Sequence, residues 1–312
     1  MKQALLLPLA LAGAAAGFVE ELYRYTFCRE GSRLLAPFLD KKGHEPAYYA
    51  ARDSAAEALR RRPRERMELR SARGEKLVGY YYPASGEGKR IAFIVHGYRS
   101  EHAETAGLYE PYYASHGFDL FCCDHTAHGE SEGRLIGFDA YEWEDCLQWL
   151  ELLRRRFGED VQIVLHGFSM GAATVMKMSA HCPKQVKFIV EDCGYASAAG
   201  QLRASLGPLY PLMRFLNRCI ARYDLSDTDV RESLSRARLP ILFVHGREDR
   251  TVPFSNGETL YAMYPGAKDC LFVEGARHVE SMYVDPAGYE SKLNTFTKQY
   301  FIETERHRHV EM

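Results

Sequence analysis

The sequence predicts an α/β fold, a mainly parallel, doubly wound sheet carrying a small helical cap. Three observations lead there. Six short runs, at residues 91–95, 120–123, 161–165, 188–190, 241–244 and 270–273, are continuously apolar instead of alternating, as strands buried on both faces are. Stretches with apolar residues at helical spacing lie among them, at 141–157, 171–181, 255–264 and 288–301. The 312 residues are 46% hydrophobic and 26% charged, ordinary proportions for one large globular core and unlike a disordered chain or a polytopic membrane protein.

Taken in order, residues 4–19 are apolar and uncharged between Lys2 and Glu20, the pattern of a signal-like or anchor segment, somewhat short to span a bilayer. Ala14, Ala15 and Ala16 would suit cleavage, whereas Tyr23, Tyr25 and Phe27 extend the segment into an interfacial anchor. The balance favours an uncleaved anchor over a cleaved signal or a loosely ordered helix. Arg24, Arg29, Arg33, Lys41 and Lys42 follow, which the positive-inside rule reads as a membrane-anchored chain with its main body on the cytoplasmic side. Residues 46–64 read as a solvated linker helix, basic where the helix dipole favours cations and stopped by Pro63. Residues 66–70 and 76–82 alternate on either side of Gly74 as an antiparallel pair would. Within 195–239, Pro208 and Pro211 interrupt amphipathic pieces such as 212–223, and the stretch is too long for a loop. The expected division is a terminal segment at 1–27, a linker helix at 28–64, an α/β domain at 65–303 with the cap at 195–239, and a polar tail at 304–312.

A formal charge of -2 gives no electrostatic case for nucleic acid as a partner. The eight cysteines are scattered and contain no CxxC pair, which points to a reducing setting instead of a disulfide scaffold. Cys122, Cys123, His125 and His128 lack finger-like spacing, and the cysteines fall in a buried-strand pattern, so no metal site is expected there.

The chemistry concentrates where the run 161–165 breaks into His166-Gly167-Phe168-Ser169-Met170-Gly171 and then a helix. A strand, a sharp turn and a helix would thrust the Ser169 hydroxyl out at a sheet edge, with Gly167 and Gly171 leaving room for the turn. The Gly-x-Ser-x-Gly pattern alone is short and common. A serine nucleophile also needs a base and an orienting carboxylate, and Asp249 and His278 follow in that chain order, each just past an apolar run. Taken singly, Asp249 is an ordinary loop carboxylate with Glu248 as neighbour and competitor, and His278 is one loop histidine among 12. Type, order and location agree for all three together. Two amide donors for an oxyanion are expected from Met170, after the nucleophile, and from Tyr98, in the loop after 91–95, whose backbone N–H is the relevant group. His96 reads as a structural loop residue. The chemistry calls for no cofactor.

These motifs resemble the serine α/β hydrolases of the type called BEM46-like or serine-aminopeptidase-S33-like. The resemblance rests on His96-Gly97-Tyr98, the stretch 124–133, Gly167 to Gly171, the stretch 245–254 and the stretch 275–289, spread over about 65–301. It implies the α/β-hydrolase fold, Ser169, Asp249 and His278 as a catalytic triad, and Tyr98 and Met170 as the oxyanion hole. Thr126-Ala127 departs from the Arg-Gly that many relatives carry before His-Gly. The expected activity is cleavage of carboxylic esters through an acyl-enzyme on Ser169, on a small-molecule or lipid-like acyl substrate. Thioesters, lysolipids and peptides with a free amino end stay open, as does a non-catalytic binding protein of the same fold. Leu202, Leu206, Leu209, Tyr210, Leu212, Met213, Phe215 and Leu216 suggest an apolar acyl group, although the cap also needs apolar residues for its own packing.

Overall fold

The computed structural model describes residues 2–39, 43–84 and 89–301, with side chains from Gly13 onward; the expected polar tail lies outside them. Its centre is an eight-stranded sheet ordered β1-β2-β4-β3-β5-β6-β7-β8. The strands are β1 (Glu65–Arg70), β2 (Lys76–Tyr82), β3 (Arg90–Val95), β4 (Asp119–Asp124), β5 (Gln162–Phe168), β6 (Val186–Asp192), β7 (Ile241–Gly246) and β8 (Lys268–Val273). β1 and β2 form the expected antiparallel pair and β2 also runs antiparallel to β4, while every other neighbour is parallel. This is the α/β-hydrolase fold. The chain winds outward from β3 to β4 and returns to β5 on the other side of β3, so a crevice opens above the β3–β5 pair, where open sheets collect their ligands.

Alternation along each buried strand feeds two cores. Phe93, Val95, Ile163, Leu165, Ile189 and Phe243 join one cluster, and Ala92, Ile94, Val164, Phe168, Val190 and Val244 join the other. Both parities are apolar because both faces are covered. β8 differs from expectation. As the edge strand it leaves Cys270, Leu271 and Phe272 half-exposed and buries only Val273.

The helices in chain order are α1 (Lys2–Phe27), α2 (Ala36–Leu39), α3 (Pro46–Arg61), α4 (His102–Ala106), α5 (Glu110–Ser115), α6 (Glu142–Phe157), α7 (Met170–Met178), α8 (Ala198–Leu206), α9 (Tyr210–Ile220), α10 (Arg231–Arg236), α11 (Ser255–Met263), α12 (Ser281–Val284) and α13 (Pro286–Tyr300). α6 and α7 cover the first core, and α3, α4, α5 and α13 cover the second. α8 to α10 form the helical segment at 195–239, packed through Leu202, Tyr210, Met213 and Leu234 onto the first core. Gln201 on α8 reaches Asn256 on α11 at 3.2 Å, tying it across the sheet edge.

Two N-terminal elements are more integral than the sequence suggests. α3 is not a solvated linker: it buries Tyr48, Ala56 and Leu59, and its Tyr48 hydroxyl donates to the Val279 carbonyl at 3.0 Å. The last two turns of α1 bury Leu22, Tyr23 and Phe27 against the first core, and the chain beyond continues into a bridge between Cys28 and Leu135. Among the described residues no helix is long and apolar enough to cross a membrane.

The contact of α3 with α4 sets a testable constraint. A Cβ on Gly107 would sit 2.6 Å from the backbone carbon of Ala55, whereas one on Gly200 in α8 would meet nothing within 4 Å. Gly107→Ala is expected to cost about 1–3 kcal/mol through overpacking. Thermal unfolding should then show a loss of several degrees for Gly107→Ala and none for Gly200→Ala; equal melting temperatures would refute the α3 docking.

Candidate active site

The elbow is held by backbone crowding. A Cβ on Gly167 would come 2.1 Å from the Gly171 carbonyl oxygen, and one on Gly171 would come 2.1 Å from that of Val95. No residue but glycine fits either place, and β3, β5 and α7 close on one another as a result. Between the glycines Ser169 takes φ 54° and ψ -113°, a conformation side chains rarely adopt. Its N–H donates to the Asp192 carbonyl at 2.9 Å and its own carbonyl receives the Ala172 and Ala173 amides, both at 3.1 Å.

The structure brings the three residues singled out from sequence into one line. His278 Nε2 lies 2.9 Å from Ser169 Oγ, and His278 Nδ1 lies 2.6 Å from Asp249 Oδ2. Asp249 is buried and takes two further amides on Oδ1, from Thr251 at 2.8 Å and Val252 at 2.9 Å. Burial opposes its charge, but hydrogen bonds to His245 and His278 hold its carboxyl well below the usual range. An ionised carboxylate only accepts, so the His278 proton sits on Nδ1 and Nε2 is free to accept from the serine. Glu248 is exposed and gives only its amide, to the Ala276 carbonyl at 3.0 Å. It is not placed to orient the imidazole.

Met170 opens α7, where its N–H has no helical carbonyl to meet. The loop after β3 comes equally close, since a Cβ on Gly97 would lie 3.2 Å from both the Phe168 oxygen and Ser169 Cβ. That places the Gly97–Tyr98 backbone beside the serine. The Tyr98 side chain has its own use: the ring stacks on Phe138, and the hydroxyl points at the carbonyls of Tyr25 and Thr26 at 3.1 and 2.9 Å. Arg99 also donates to Cys28 and Tyr25 carbonyls. The orphan carbonyls at the end of α1 are thereby capped from the loop that approaches Ser169.

Histidines from the 124–133 stretch stiffen this loop. The His125 amide donates to His96 Nε2 at 2.9 Å and the Arg99 amide to His128 Nε2 at 3.1 Å, while the two Nδ1 atoms face the carbonyls of Gly97 and Thr126 at 2.7 and 3.0 Å. Both rings are neutral and Nδ1-protonated by this geometry. Burial, reinforced by the nearby His96, pushes His128 down to about 3. Cys122 and Cys123 point into opposite cores.

Sequence reasoning missed a buried chain beneath the elbow. The Tyr113 hydroxyl meets His166 Nδ1 at 2.9 Å, His166 Nε2 meets the Tyr289 oxygen at 2.8 Å, and that hydroxyl donates to Asp192 Oδ2 at 2.8 Å. Burial raises Asp192 to about 6, against the Tyr289 hydrogen bond, and drives His166 well below its ordinary value. His245 has a structural role that its motif alone does not show: it donates to the Val252 carbonyl at 2.9 Å and stands 3.4 Å from Asp249. The repeated Val-His-Gly at the ends of β3 and β7 was the available signal.

Two groups of described residues set metal-type donor atoms within 4.8 Å of one another: Cys193, Asp249 and His278, and Glu101, His102 and Asp124. In each the imidazole already bonds a carboxylate, and burial keeps the Cys193 thiol protonated.

A family model described as serine aminopeptidase, S33, matches residues 86–226, a span that holds Tyr98, Ser169 and Met170 but not Asp249 or His278. The uncharacterized protein YqkD of Bacillus subtilis is 26% identical over 235 residues, covering 72% of this chain and 76% of that protein. The human alpha/beta hydrolase domain-containing protein 17C is 24% identical over 210 residues, covering 67% of this chain but 59% of its own length. Among solved structures, the Pyrococcus furiosus esterase Pf2001 superimposes with a TM-score of 0.62 at 19% identity, over 76% of this chain and 91% of that one.

The tautomer assignment is open to direct measurement. Nitrogen chemical shifts of the His128 ring should report the neutral, Nδ1-protonated form at pH 5, because its folded value of about 3 lies well below that pH. A cationic ring at pH 5 would contradict the assignment.

Proposed function

We propose that this chain, an α/β hydrolase in fold and in family resemblance, is a serine esterase that works through an acyl-enzyme on Ser169. The observation that carries the reading is the unbroken line from Ser169 Oγ through His278 to the buried Asp249. In the proposed reaction His278 Nε2 takes the hydroxyl proton as the serine oxygen attacks the ester carbonyl. Asp249 holds the imidazole orientation and stabilises the imidazolium. Negative charge on the carbonyl oxygen falls to the amides of Met170 and Tyr98, fixed in place before the reaction and so costing no reorganisation. The imidazolium protonates the departing alcohol. Water, deprotonated by the same nitrogen, then releases the acid and restores the serine.

The name esterase belongs to the Pyrococcus protein and the name aminopeptidase to the family description; both serve here as support for a hydrolytic reading only. An aminopeptidase needs an acidic group presented to the substrate ammonium. Glu191, Asp192 and Asp249 are buried, and each accepts a hydrogen bond from the protein, so none of the three is presented to solvent, which favours a neutral ester. The apolar cap residues divide between roles: Leu202, Tyr210 and Met213 pack inward, while Leu212 and Phe215 are exposed. An acyl chain of short to medium length is the corresponding substrate class.

Ser169→Ala should reduce hydrolysis of p-nitrophenyl butyrate to background without lowering the melting temperature. Asp249→Asn should cost about 10⁴ in kcat by favouring the wrong tautomer, as in other triads. Glu248→Gln should leave kcat within about twofold, as surface substitutions away from the chemistry do. A larger loss for Glu248→Gln than for Asp249→Asn would mean that the orienting acid is misassigned.

A further inference from the structure

The exposed apolar side chains of this protein are not scattered. Phe18, Leu34, Phe38, Leu39, Leu212, Phe215 and Ile220 make up seven of the ten large hydrophobic residues exposed among those described, with Phe38 at 79% and Phe215 at 61%. All seven lie on α1, on α9 or in the segment around α2. The root of α1 joins these pieces. Tyr23 donates to Asn217 of α9 at 3.4 Å, and Ser32, just before α2, donates to Glu21. α9 buries Tyr210, Met213 and Asn217, and turns Leu212, Phe215, Cys219 and Ile220 outward. Its inner face is already satisfied, so packing does not explain the outer one.

Charge narrows the choice of what covers it. Arg203, Arg214 and Arg218 line a hollow of about 530 Å³ together with Pro208, Tyr210, Pro211 and Phe215, and none of the triad residues borders it. Arg214 and Arg218 share one carboxylate, Asp224, at 2.7 and 3.3 Å, and Arg203 lies over the Tyr210 ring. Arg222 adds a further cation beyond α9. A second copy meeting this face would bring a basic rim of the same sign to it, Asp224 being already shared by Arg214 and Arg218. An apolar surface rimmed by arginines and continuous with a helix that is uncharged from residue 3 to 19 instead matches a bilayer with anionic headgroups.

We infer that α9 is a membrane-docking helix, its Leu212, Phe215 and Ile220 entering the headgroup boundary beside α1 while Arg203, Arg214 and Arg218 receive anionic lipid phosphates. The chain lies on the membrane through this face. The inference does not depend on the reaction proposed at Ser169.

The test is flotation of the full chain with vesicles of phosphatidylcholine alone and with vesicles containing about a quarter phosphatidylglycerol, at low salt. The protein should favour the anionic vesicles by about tenfold or more. Leu212→Ser with Phe215→Ser should weaken binding to both vesicle types by about tenfold. Arg203→Gln with Arg218→Gln should abolish the anionic preference alone. Circular dichroism, melting temperature and p-nitrophenyl butyrate turnover identify misfolded variants, and the single substitution Phe215→Ser then serves in place of the pair. No flotation with anionic vesicles, flotation that all variants share, or a dimer that the same substitutions dissociate would each overturn the inference.

Discussion

A contact between backbones governs this molecule: Gly171 rests against the Val95 carbonyl and Gly167 against the Gly171 carbonyl, each so closely that a Cβ would be 2.1 Å from oxygen. Closing β3, β5 and α7 on one another leaves Ser169 a single path, with φ at 54°. Such a conformation costs on the order of 1–3 kcal/mol and persists only where the surroundings over-determine it. Here they do. The parallel pairing of β5 with both β3 and β6 fixes the strand end, and the Ser169 amide is committed to Asp192. The strain puts the hydroxyl where the loops after β7 and β8 can deliver Asp249 and His278.

Around that point polar groups work as a scaffold because each has a defined donor or acceptor role. His96 and His128 are locked as neutral rings whose Nε2 atoms accept backbone amides, so they brace the loop that carries Tyr98. His166, Tyr113, Tyr289 and Asp192 fill the space under the elbow with a connected chain, whose linked groups are favourable where isolated ones would be costly, although Asp192 Oδ1 is left without a hydrogen-bond partner. The same loop caps α1 through Tyr98 and Arg99, which makes the N-terminal helix a support of the site instead of an appendage. One segment thus connects the exposed apolar surface with the loop beside Ser169.

How much of this was legible in the sequence follows from how local each signal is. Strands β3 to β7 announced themselves as uninterrupted apolar runs because both faces are covered, and the Ser, Asp, His order could be read because each residue follows such a run. β8 looked the same by composition, but edge position depends on what lies beyond it, which no local pattern encodes. α4, with five residues, and α5, with six, are too short to establish a helical period. The docking of α3 was hidden because its large buried side chains, Tyr48 and Leu59, lie far apart among alanines and charged residues, which set no clear apolar stripe. His166 sits in β5 among apolar neighbours, and its partners Tyr113 and Tyr289 come from distant parts of the chain, whereas His245 meets Asp249 only four residues on, across a turn that no periodicity marks. The loop position of Tyr98 points to its amide, whereas its hydroxyl caps carbonyls at the end of α1 that lie more than seventy residues earlier.

The central claim is that His278 makes the Ser169 oxygen a nucleophile. Its most direct measurement is the mass of the intact protein after reaction with a fluorophosphonate, followed by peptide mapping, for the wild-type chain and for His278→Ala. The account predicts one adduct per chain on the peptide containing Ser169, with labelling of His278→Ala slowed by orders of magnitude. Labelling at another residue, or equal rates for the two proteins, would contradict it.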